Sequence, residues 1–280
     1  MHNDEHTTLA NSAIFKNQWM ILQTRNLTLQ YPGKLLCSNL SLTIRPGECW
    51  AILGQNGCGK TTLIHTLAGL RHIDSEPEPS VMMGERAPQT WSRRELARNL
   101  GIMLQEEPGE FWGNVYEYVL LGRYPHVQNM FGWKETDREA AIEAIERMQL
   151  TGLADRSLST LSGGERQRAR IALLLAQSPQ YYLLDEPLQH LDLRHQLLVM
   201  TLFSELARQG NALMMVLHDV NLAGRFCDHV LMLFDNGRTI IGSAKETLNR
   251  PNLEALYQCN MNEFVAGHSR HFVPETMPGV

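Results

Sequence analysis

A nine-residue stretch, GQNGCGKTT at 54–62, combines three glycines with a lysine and two threonines directly after the apolar run 50–53. Its spacing, Gly54-x4-Gly59-Lys60-Thr61, fits the phosphate-loop pattern completely. Glycines allow backbone N–H groups to point into a concave anion site, and a helix after the loop adds the positive end of its dipole. Lys60 can reach the β and γ phosphates of a nucleotide, and the Thr61 hydroxyl can ligate Mg²⁺. The stretch therefore predicts a nucleotide site made of Gly54, Gln55, Asn56, Gly57, Cys58, Gly59, Lys60, Thr61 and Thr62.

A second pattern, TLSGGERQRAR at 160–170, places two glycines behind Ser162 at the start of a predicted helix. The first amides of that helix can face a second anion, with Arg166, Arg168 and Arg170 nearby. A plain capped helix start would account for Ser162, but not for the whole octet LSGGERQR. Together with the phosphate loop upstream, the octet resembles the signature sequence of the ABC transporter ATPases, and the resemblance extends over nearly the entire chain.

Two neighbouring acids stand in the stretch YYLLDEPLQHLDL at 181–193. Asp185, at the carboxyl end of an apolar strand, can hold Mg²⁺ directly or through water. Glu186 can polarise a water molecule for attack on the γ-phosphate. An isolated Asp-Glu-Pro would indicate a solvated turn, but its distance after LSGGE matches the Walker B strand of the family. Asp192 falls where the family has its D-loop aspartate, beside the dimer interface.

The resemblance implies roles for three further residues. Gln105, after the strand GIML, matches the Q-loop glutamine that senses Mg²⁺ and the γ-phosphate. His218, at the end of NALMMVLH, matches the switch histidine that contacts the γ-phosphate. Tyr31 matches the aromatic residue that stacks on adenine, although a strand residue that packs on the core is the alternative. The residues predicted to contact the nucleotide from a second, head-to-tail copy are Ser162, Gly163, Gly164 and Asp192.

One departure from the family pattern lies between the acidic pair and the D-loop. Many relatives carry threonine and asparagine where this chain has Leu188 and Gln189. Because Glu186 and the HLD step are intact, we expect hydrolysis to be retained. Coupling across the dimer is the property that this difference would affect.

The totals describe an ordinary globular protein. The 280 residues have 43% hydrophobic and 20% charged side chains and a net charge of -5, which gives no electrostatic footprint for nucleic acid. The five cysteines are scattered without a C-x-x-C, so neither a disulfide framework nor a zinc site is expected. The polar first residues have no apolar signal region, and the longest apolar runs are too short to cross a bilayer.

Periodicity predicts an α/β fold. Alternating segments over 19–44 predict antiparallel strands around the turn YPGK, and apolar runs predict strands at 49–53, 101–104, 181–184, 213–217, 230–234 and 239–241. Residues 106–177 are predicted to be helical, and the helix over 137–150 should place Ile142, Ile145 and Met148 on one apolar stripe.

The resemblance implies the phosphate-loop NTPase fold of the ABC ATPases, and the periodicity agrees with it: a mixed, mostly parallel core sheet, an antiparallel β subdomain and an inserted helical subdomain. Residues 1–18 are predicted to be an N-terminal lead-in, 19–258 the cassette with its helical subdomain at about 106–177, and 259–280 a C-terminal tail. Within the helical subdomain, five aromatic residues within fourteen positions suit an anchor for a partner's short helix: Phe111, Trp112, Tyr116, Tyr118 and Tyr124. The alternative is that they form the subdomain's own core, since aromatic residues dominate cores too.

The resemblance implies an ATP-hydrolysing motor of a membrane importer, with ATP and Mg²⁺ as cofactors. A soluble ABC ATPase that acts on ribosomes or DNA is the alternative, but such proteins usually carry two cassettes, a long coiled coil or zinc-binding cysteines, which this sequence lacks. A metabolic kinase with a phosphate loop leaves LSGGERQR unexplained. No nucleic-acid partner is expected.

The segment LLGRYPHVQNMFGW at 120–133 and the short C-terminus resemble importers of ferric siderophores, haem and vitamin B12. The resemblance does not choose among these substrates, and a motor for another substrate stays open. The implied partners are transmembrane permease subunits, a second copy of the chain and, indirectly, a substrate-binding protein. The implied location is the cytoplasmic face of the inner membrane, peripheral through the permease.

Overall fold

A computed structural model describes residues 20–31, 33–71, 80–105, 111–127, 132–267 and 269–275. The predicted lead-in 1–18 therefore lies outside the described residues. Among the described helices, none combines the length and the apolar character needed to span a membrane.

The core is a six-stranded sheet in the order β5-β6-β7-β3-β8-β9. Its strands are β3 (Cys49–Gly54), β5 (Leu100–Met103), β6 (Tyr181–Leu184), β7 (Ala212–Val216), β8 (His229–Leu233) and β9 (Thr239–Ser243). The first five strands of that order pair in parallel, and β9 pairs antiparallel with β8. Every residue of β3 is buried, as expected for a parallel strand that is covered on both faces. The predicted mixed core sheet is confirmed.

A smaller antiparallel sheet has the order β2-β1-β4. Strands β1 (Leu22–Tyr31) and β2 (Lys34–Ile44) pair around the predicted turn, with Tyr31 opposite Lys34. The short β4 (Val81–Met83) was not predicted, because three residues are too few for alternation to show.

Helices cover the two sheets. They are α1 (Lys60–Leu67), α2 (Arg93–Asn99), α3 (Val115–Leu120), α4 (Glu135–Arg147), α5 (Gly163–Gln177), α6 (Leu193–Arg208), α7 (Val220–Phe226), α8 (Ala244–Thr247) and α9 (Arg250–Tyr257). Short 3-10 helices lie at Pro88–Thr90, Leu121–His126, Thr151–Leu153 and Leu158–Thr160. A final hairpin, β10 (Met261–Ala266) with β11 (Ser269–Pro274), occupies the segment that the sequence predicts only as a tail.

Alternate residues of β3 point into two separate cores. Ala51 and Leu53 pack with the buried faces of α5 and α6, whereas Trp50 and Ile52 pack with the antiparallel sheet and α1. The period-2 alternation of a strand therefore joins the helical and the antiparallel parts across one sheet.

The predicted apolar stripe of α4 is wrong at one position. Ile145 and Met148 are buried, but Ile142 is 46% exposed. The buried face instead contains Ala141 and Ala144, which allow α4 to lie close against α5. Small residues form the packing face of α4. The prediction counted only large apolar side chains and therefore missed them.

A polar strap, residues 121–127, ties the helical part together. Gly122 allows close approach, because an added Cβ would lie 2.2 Å from the Leu173 carbonyl oxygen. Arg123 Nε donates to Asp137 Oδ1 at 3.0 Å, and its Nη1 donates to the Ala176 carbonyl at 2.9 Å. Burial alone would raise the pKa of Asp137, but hydrogen bonds from Arg123 and the Lys134 amide and the charge of Arg123 lower it overall.

Asp137→Asn should destabilise the fold by about 3 kcal/mol near neutral pH, because it leaves the Arg123 guanidinium buried without its counter-charge. The lowered pKa of Asp137 means that its contribution is complete above the unfolded pKa of about 4 and is lost as pH falls through the folded value. Urea unfolding of the full chain across pH should show the wild-type advantage shrinking below that pH. Glu139→Gln, at an exposed position of the same helix, is the matched control. An equal loss for both variants would contradict the expectation.

Candidate nucleotide-binding site

The phosphate loop joins the carboxyl end of β3 to the first residue of α1. Gly54 is enclosed so tightly that an added Cβ would lie 2.6 Å from both Cys58 Sγ and the Leu233 carbonyl oxygen. Cys58 is buried below the loop, so its side chain packs instead of facing a ligand. These contacts fix the loop backbone, which is the part that binds phosphate oxygens.

Lys60 lies folded across the loop. Its Nζ donates to the carbonyl oxygens of Gly54 at 2.8 Å and of Gln55 at 2.9 Å, and the residue is 6% exposed. A buried ammonium needs such partners because desolvation disfavours its charge. The positive charge is thereby held at the loop, where an incoming phosphate would meet it.

A cavity of about 580 Å³ opens over the loop. Its lining contains most of the predicted site residues: Tyr31, Asn56, Gly57, Gly59, Lys60, Thr61, Thr62, Gln105, Glu186 and His218, together with Lys34, Leu36 and Gln189. Gly54, Gln55 and Cys58 do not line it with the others. Tyr31 is 60% exposed, so it is not the packed strand residue of the alternative interpretation.

Glu186 and His218 meet on one side of this cavity. His218 Nε2 lies 2.9 Å from Glu186 Oε1. Glu186 has a positive φ of 52°, which is uncommon outside glycine and sets its backbone apart from that of a regular strand end. Because β6 and β7 are parallel neighbours, the residues that follow them emerge at the same sheet edge.

Asp185 is 1% exposed, and neither carboxylate oxygen has a hydrogen-bond partner among the described residues. Burial raises its pKa and the charge of Glu186 adds to this; the Thr61 hydroxyl, which lies close to Asp185 without reaching hydrogen-bond geometry, opposes the rise, as do His65 and Lys60. A carboxylate buried without partners is costly. The arrangement suits a cation that binds between Asp185 and Thr61.

The signature residues lie elsewhere on the chain. Ser162 caps α5, where its hydroxyl accepts from the Glu165 amide at 3.3 Å and its own amide donates to Glu165 Oε2 at 2.8 Å. Ser162 and Gly163 are exposed. The cavity lining contains none of the four predicted partner contacts, which are Ser162, Gly163, Gly164 and Asp192. Asp192 caps α6 by accepting from the His195 amide at 2.8 Å.

Two of the three arginines near the signature glycines, Arg168 and Arg170, face internal carbonyls. Arg168 is buried and donates to the Met148 carbonyl at 2.8 Å and to that of Gln149 at 2.9 Å. Arg170 donates to the Leu104 carbonyl. Both guanidinium groups thus satisfy internal carbonyls of the helical part, a use that charge and spacing in the sequence do not reveal.

Two polar residues near the site were not predicted. Gln167 Nε2 donates to the Pro187 carbonyl at 2.8 Å, which ties the signature helix to the acidic segment. Lys34 Nζ donates to the Gly57 carbonyl and to Asp235 Oδ1, both at 3.0 Å, and so braces the phosphate loop from β2. For Lys34, the signal available in the sequence was its position three residues after Tyr31.

Strand, phosphate loop and helix, with an acidic pair and a histidine at the neighbouring strand ends, define a phosphate-loop nucleotide hydrolase. Residues 37–189 match a family model described as ABC transporter. The chain therefore belongs to the ABC transporter family, and it is an ATP-binding subunit with the ATPase activity of that family.

Individual relatives agree with this. The chain is 39% identical over 239 residues to the ferric enterobactin transport ATP-binding protein FepC of Escherichia coli K12, which covers 84% of this chain and 86% of that protein. It is 37% identical over 244 residues to the hemin import ATP-binding protein HmuV of Pseudomonas aeruginosa, covering 85% and 92%. A solved metal-chelate type ABC transporter in an inward-facing conformation superposes with a TM-score of 0.77 at 29% identity, covering 92% of this chain and 98% of that one.

Gly54→Ala should lower ATP affinity by at least about tenfold, since its methyl group would displace the loop backbone. Titration calorimetry with a non-hydrolysable ATP analogue measures this. Gly152→Ala, whose added Cβ meets no atom within 4 Å, is the matched control and should bind normally. Normal binding by Gly54→Ala would show that the loop does not depend on this close contact.

Proposed function

We propose that this chain powers the import of a metal chelate (a ferric siderophore, haem or vitamin B12) through a separate permease. We also propose that its cavity hydrolyses MgATP, with Glu186 as the base and His218 as a ligand of the γ-phosphate. The observation that supports these roles is the contact between Glu186 and His218 at 2.9 Å on the wall of the cavity that holds Lys60. A base and a γ-phosphate ligand side by side are what in-line attack by water requires.

Each residue then has one task. Tyr31 stacks on adenine at the exposed rim, and backbone amides of the loop bind the phosphates. Lys60 moves its three donors from the loop carbonyls to the β and γ phosphate oxygens. Glu186 orients and polarises the attacking water, and His218 donates to the γ-phosphate.

Asp185, Thr61 and Gln105 would hold Mg²⁺. The two unpartnered oxygens of Asp185 beside Thr61 fit this ion, which is commonly bound by one or two carboxylates together with substrate phosphates. Among the described residues no group of three or more His, Cys, Asp or Glu could hold a metal, so the nucleotide must supply ligands of its own. When bound, Mg²⁺ neutralises charge on the phosphates.

A second copy completes the site. The start of α5 at Ser162 and Gly163 is exposed and does not line the cavity of its own chain. A helix start of this kind offers amides to an anion. In a head-to-tail dimer these amides, with Gly164 and Asp192, would meet the γ-phosphate held by the other copy's loop.

The permease is the partner that the relatives' import functions support. Trp112 is 87% exposed and Tyr124 is 71% exposed, whereas Phe111, Tyr116 and Tyr118 pack against the core. We take Trp112 and Tyr124 as the docking anchors, at the cytoplasmic face of the inner membrane. A substrate-binding protein would act on the permease, so its influence on this chain is indirect.

The substrate class rests on relatives that are named for ferric enterobactin and hemin. The segment 120–133, which suggested this class, contributes its described part to the internal strap. This placement agrees with an ATP-hydrolysing subunit that does not contact the transported substrate. Identifying the permease that co-purifies with the chain, and what their complex carries into vesicles, would choose among the chelates.

Glu186→Gln should bind ATP normally but hydrolyse it at least about a hundredfold more slowly, since the amide is a poor base. It should also accumulate as an ATP-bound dimer, visible by sedimentation, that is absent with ADP. Lys60→Ala is the companion variant and should lose nucleotide binding together with dimerisation. Glu205→Gln, an acid on α6 outside the cavity, controls for charge.

Wild-type turnover by Glu186→Gln would show that another group activates water. Monomers with both nucleotides, at concentrations well above the ATP affinity, would contradict the shared site.

Trp112→p-benzoylphenylalanine and Tyr124→p-benzoylphenylalanine should photo-cross-link to the permease. The cross-linking yield should change with nucleotide, because Gln105, which would sense the γ-phosphate, precedes this segment. Phe264→p-benzoylphenylalanine is a matched control, since Phe264 is an exposed aromatic residue of β10. Cross-links from Phe264 alone would place the permease on the other part of the chain. Cysteine probes at Glu110 and Asn114, which also lie near the start of the aromatic segment, are less suitable. Glu110 lies outside the described residues, and Asn114 caps α3 by accepting from the Glu117 amide.

A further inference from the structure

The hairpin of β10 and β11 lies beside the segment that follows His218. Its inner face is buried through Met261 and Phe272, and β11 packs against α7. A two-stranded hairpin is at best marginally stable alone, so its contacts with α7 and with α9 keep it in place.

Asn221 fastens the hairpin to α7 with both polar atoms of its side chain. The Phe272 amide donates to Asn221 Oδ1 at 2.8 Å, and Asn221 Nδ2 donates to the Phe272 carbonyl at 3.1 Å. The backbone amide of the same asparagine donates to Asp219 Oδ1 at 2.7 Å, which caps the helix. The hairpin is therefore linked through one residue to the cap that directly follows His218.

His218 depends on this backbone for its position. Its side chain is 53% exposed, and Glu186 is its one polar contact among the described residues. Helix α7 has only seven residues, and helices of this length are unstable in isolation. External contacts must hold α7, and with it the histidine.

We propose that the C-terminal hairpin positions His218 by holding α7 through Asn221, and so sets the rate of ATP hydrolysis without setting the affinity for ATP. This inference rests on the proposed contact of His218 with the γ-phosphate. Asn221 is a positioning residue that acts through His218 and does not touch nucleotide. A partner that binds the hairpin could then change the rate of ATP hydrolysis.

The test compares full-length Asn221→Ala, Phe272→Ala and His218→Ala, with His271→Ala as the control on the exposed face of the same hairpin. Asn221→Ala and Phe272→Ala should lower kcat about fivefold to tenfold. KM and nucleotide affinity should stay within about twofold of wild type. Hydrogen exchange should show faster exchange over 220–226 in both variants, and His271→Ala should behave as wild type.

Asn221→Ala placed in the His218→Ala background should cause no further loss of kcat, because it acts through that histidine. Asn221→Asp, which keeps the acceptor for the Phe272 amide, should fall between wild type and alanine and serves if alanine fails to fold. Faster exchange over 220–226 with unchanged kcat would overturn the inference, and so would additive losses with His218→Ala. If His218→Ala itself keeps full activity, the proposed role of His218 is what fails.

Discussion

Parallel pairing of β6 with β7 and of β7 with β3 places three carboxyl strand ends side by side. From those ends come the phosphate loop, the acidic pair and His218, which are far apart in sequence. In open α/β sheets this edge is where ligands bind, since the strands converge there and the loops can vary. Because β3 is buried on both faces, packing from both sides fixes this strand and the loop that follows it.

Two charged side chains at this edge, Lys60 and Asp185, differ in the hydrogen-bond partners that compensate them. Lys60 is satisfied by two loop carbonyls, so its charge is stable before nucleotide arrives. Asp185 has no such partners among the described residues, and burial raises its pKa. A cation that arrives with phosphate would relieve that cost, so ligand binding would stabilise the folded chain as well as prepare it for chemistry.

Glycine spacing and apolar runs report backbone constraints directly, so the sequence predicted the fold class, the core strands and the phosphate loop. The family resemblance supplied most of the other residues of the cavity, among them Tyr31, Gln105 and His218. Periodicity misplaced Ile142, and the sequence did not reveal that Arg168 and Arg170 donate to internal carbonyls. It overlooked Gln167, Lys34 and the last hairpin. These depend on contacts between residues distant in the chain, and β10 and β11 are mostly exposed, so no burial period marks them. The domain limits and the individual site roles remain predictions.

The polar groups that would contact the phosphates fall into two sets, one at the phosphate loop and one at the start of α5. Groups that would touch the phosphates from one side are enclosed and fixed by many contacts, as at Gly54 and Lys60. Groups assigned to the other side, at the start of α5, are exposed and separated from the cavity. In the proposed head-to-tail dimer, such a divided site would gain its catalytic power only when two copies meet, since only then would donors surround the γ-phosphate. Hydrolysis would thereby be tied to an assembly step, and elements that shift α5 or α7 relative to β3 would change its rate.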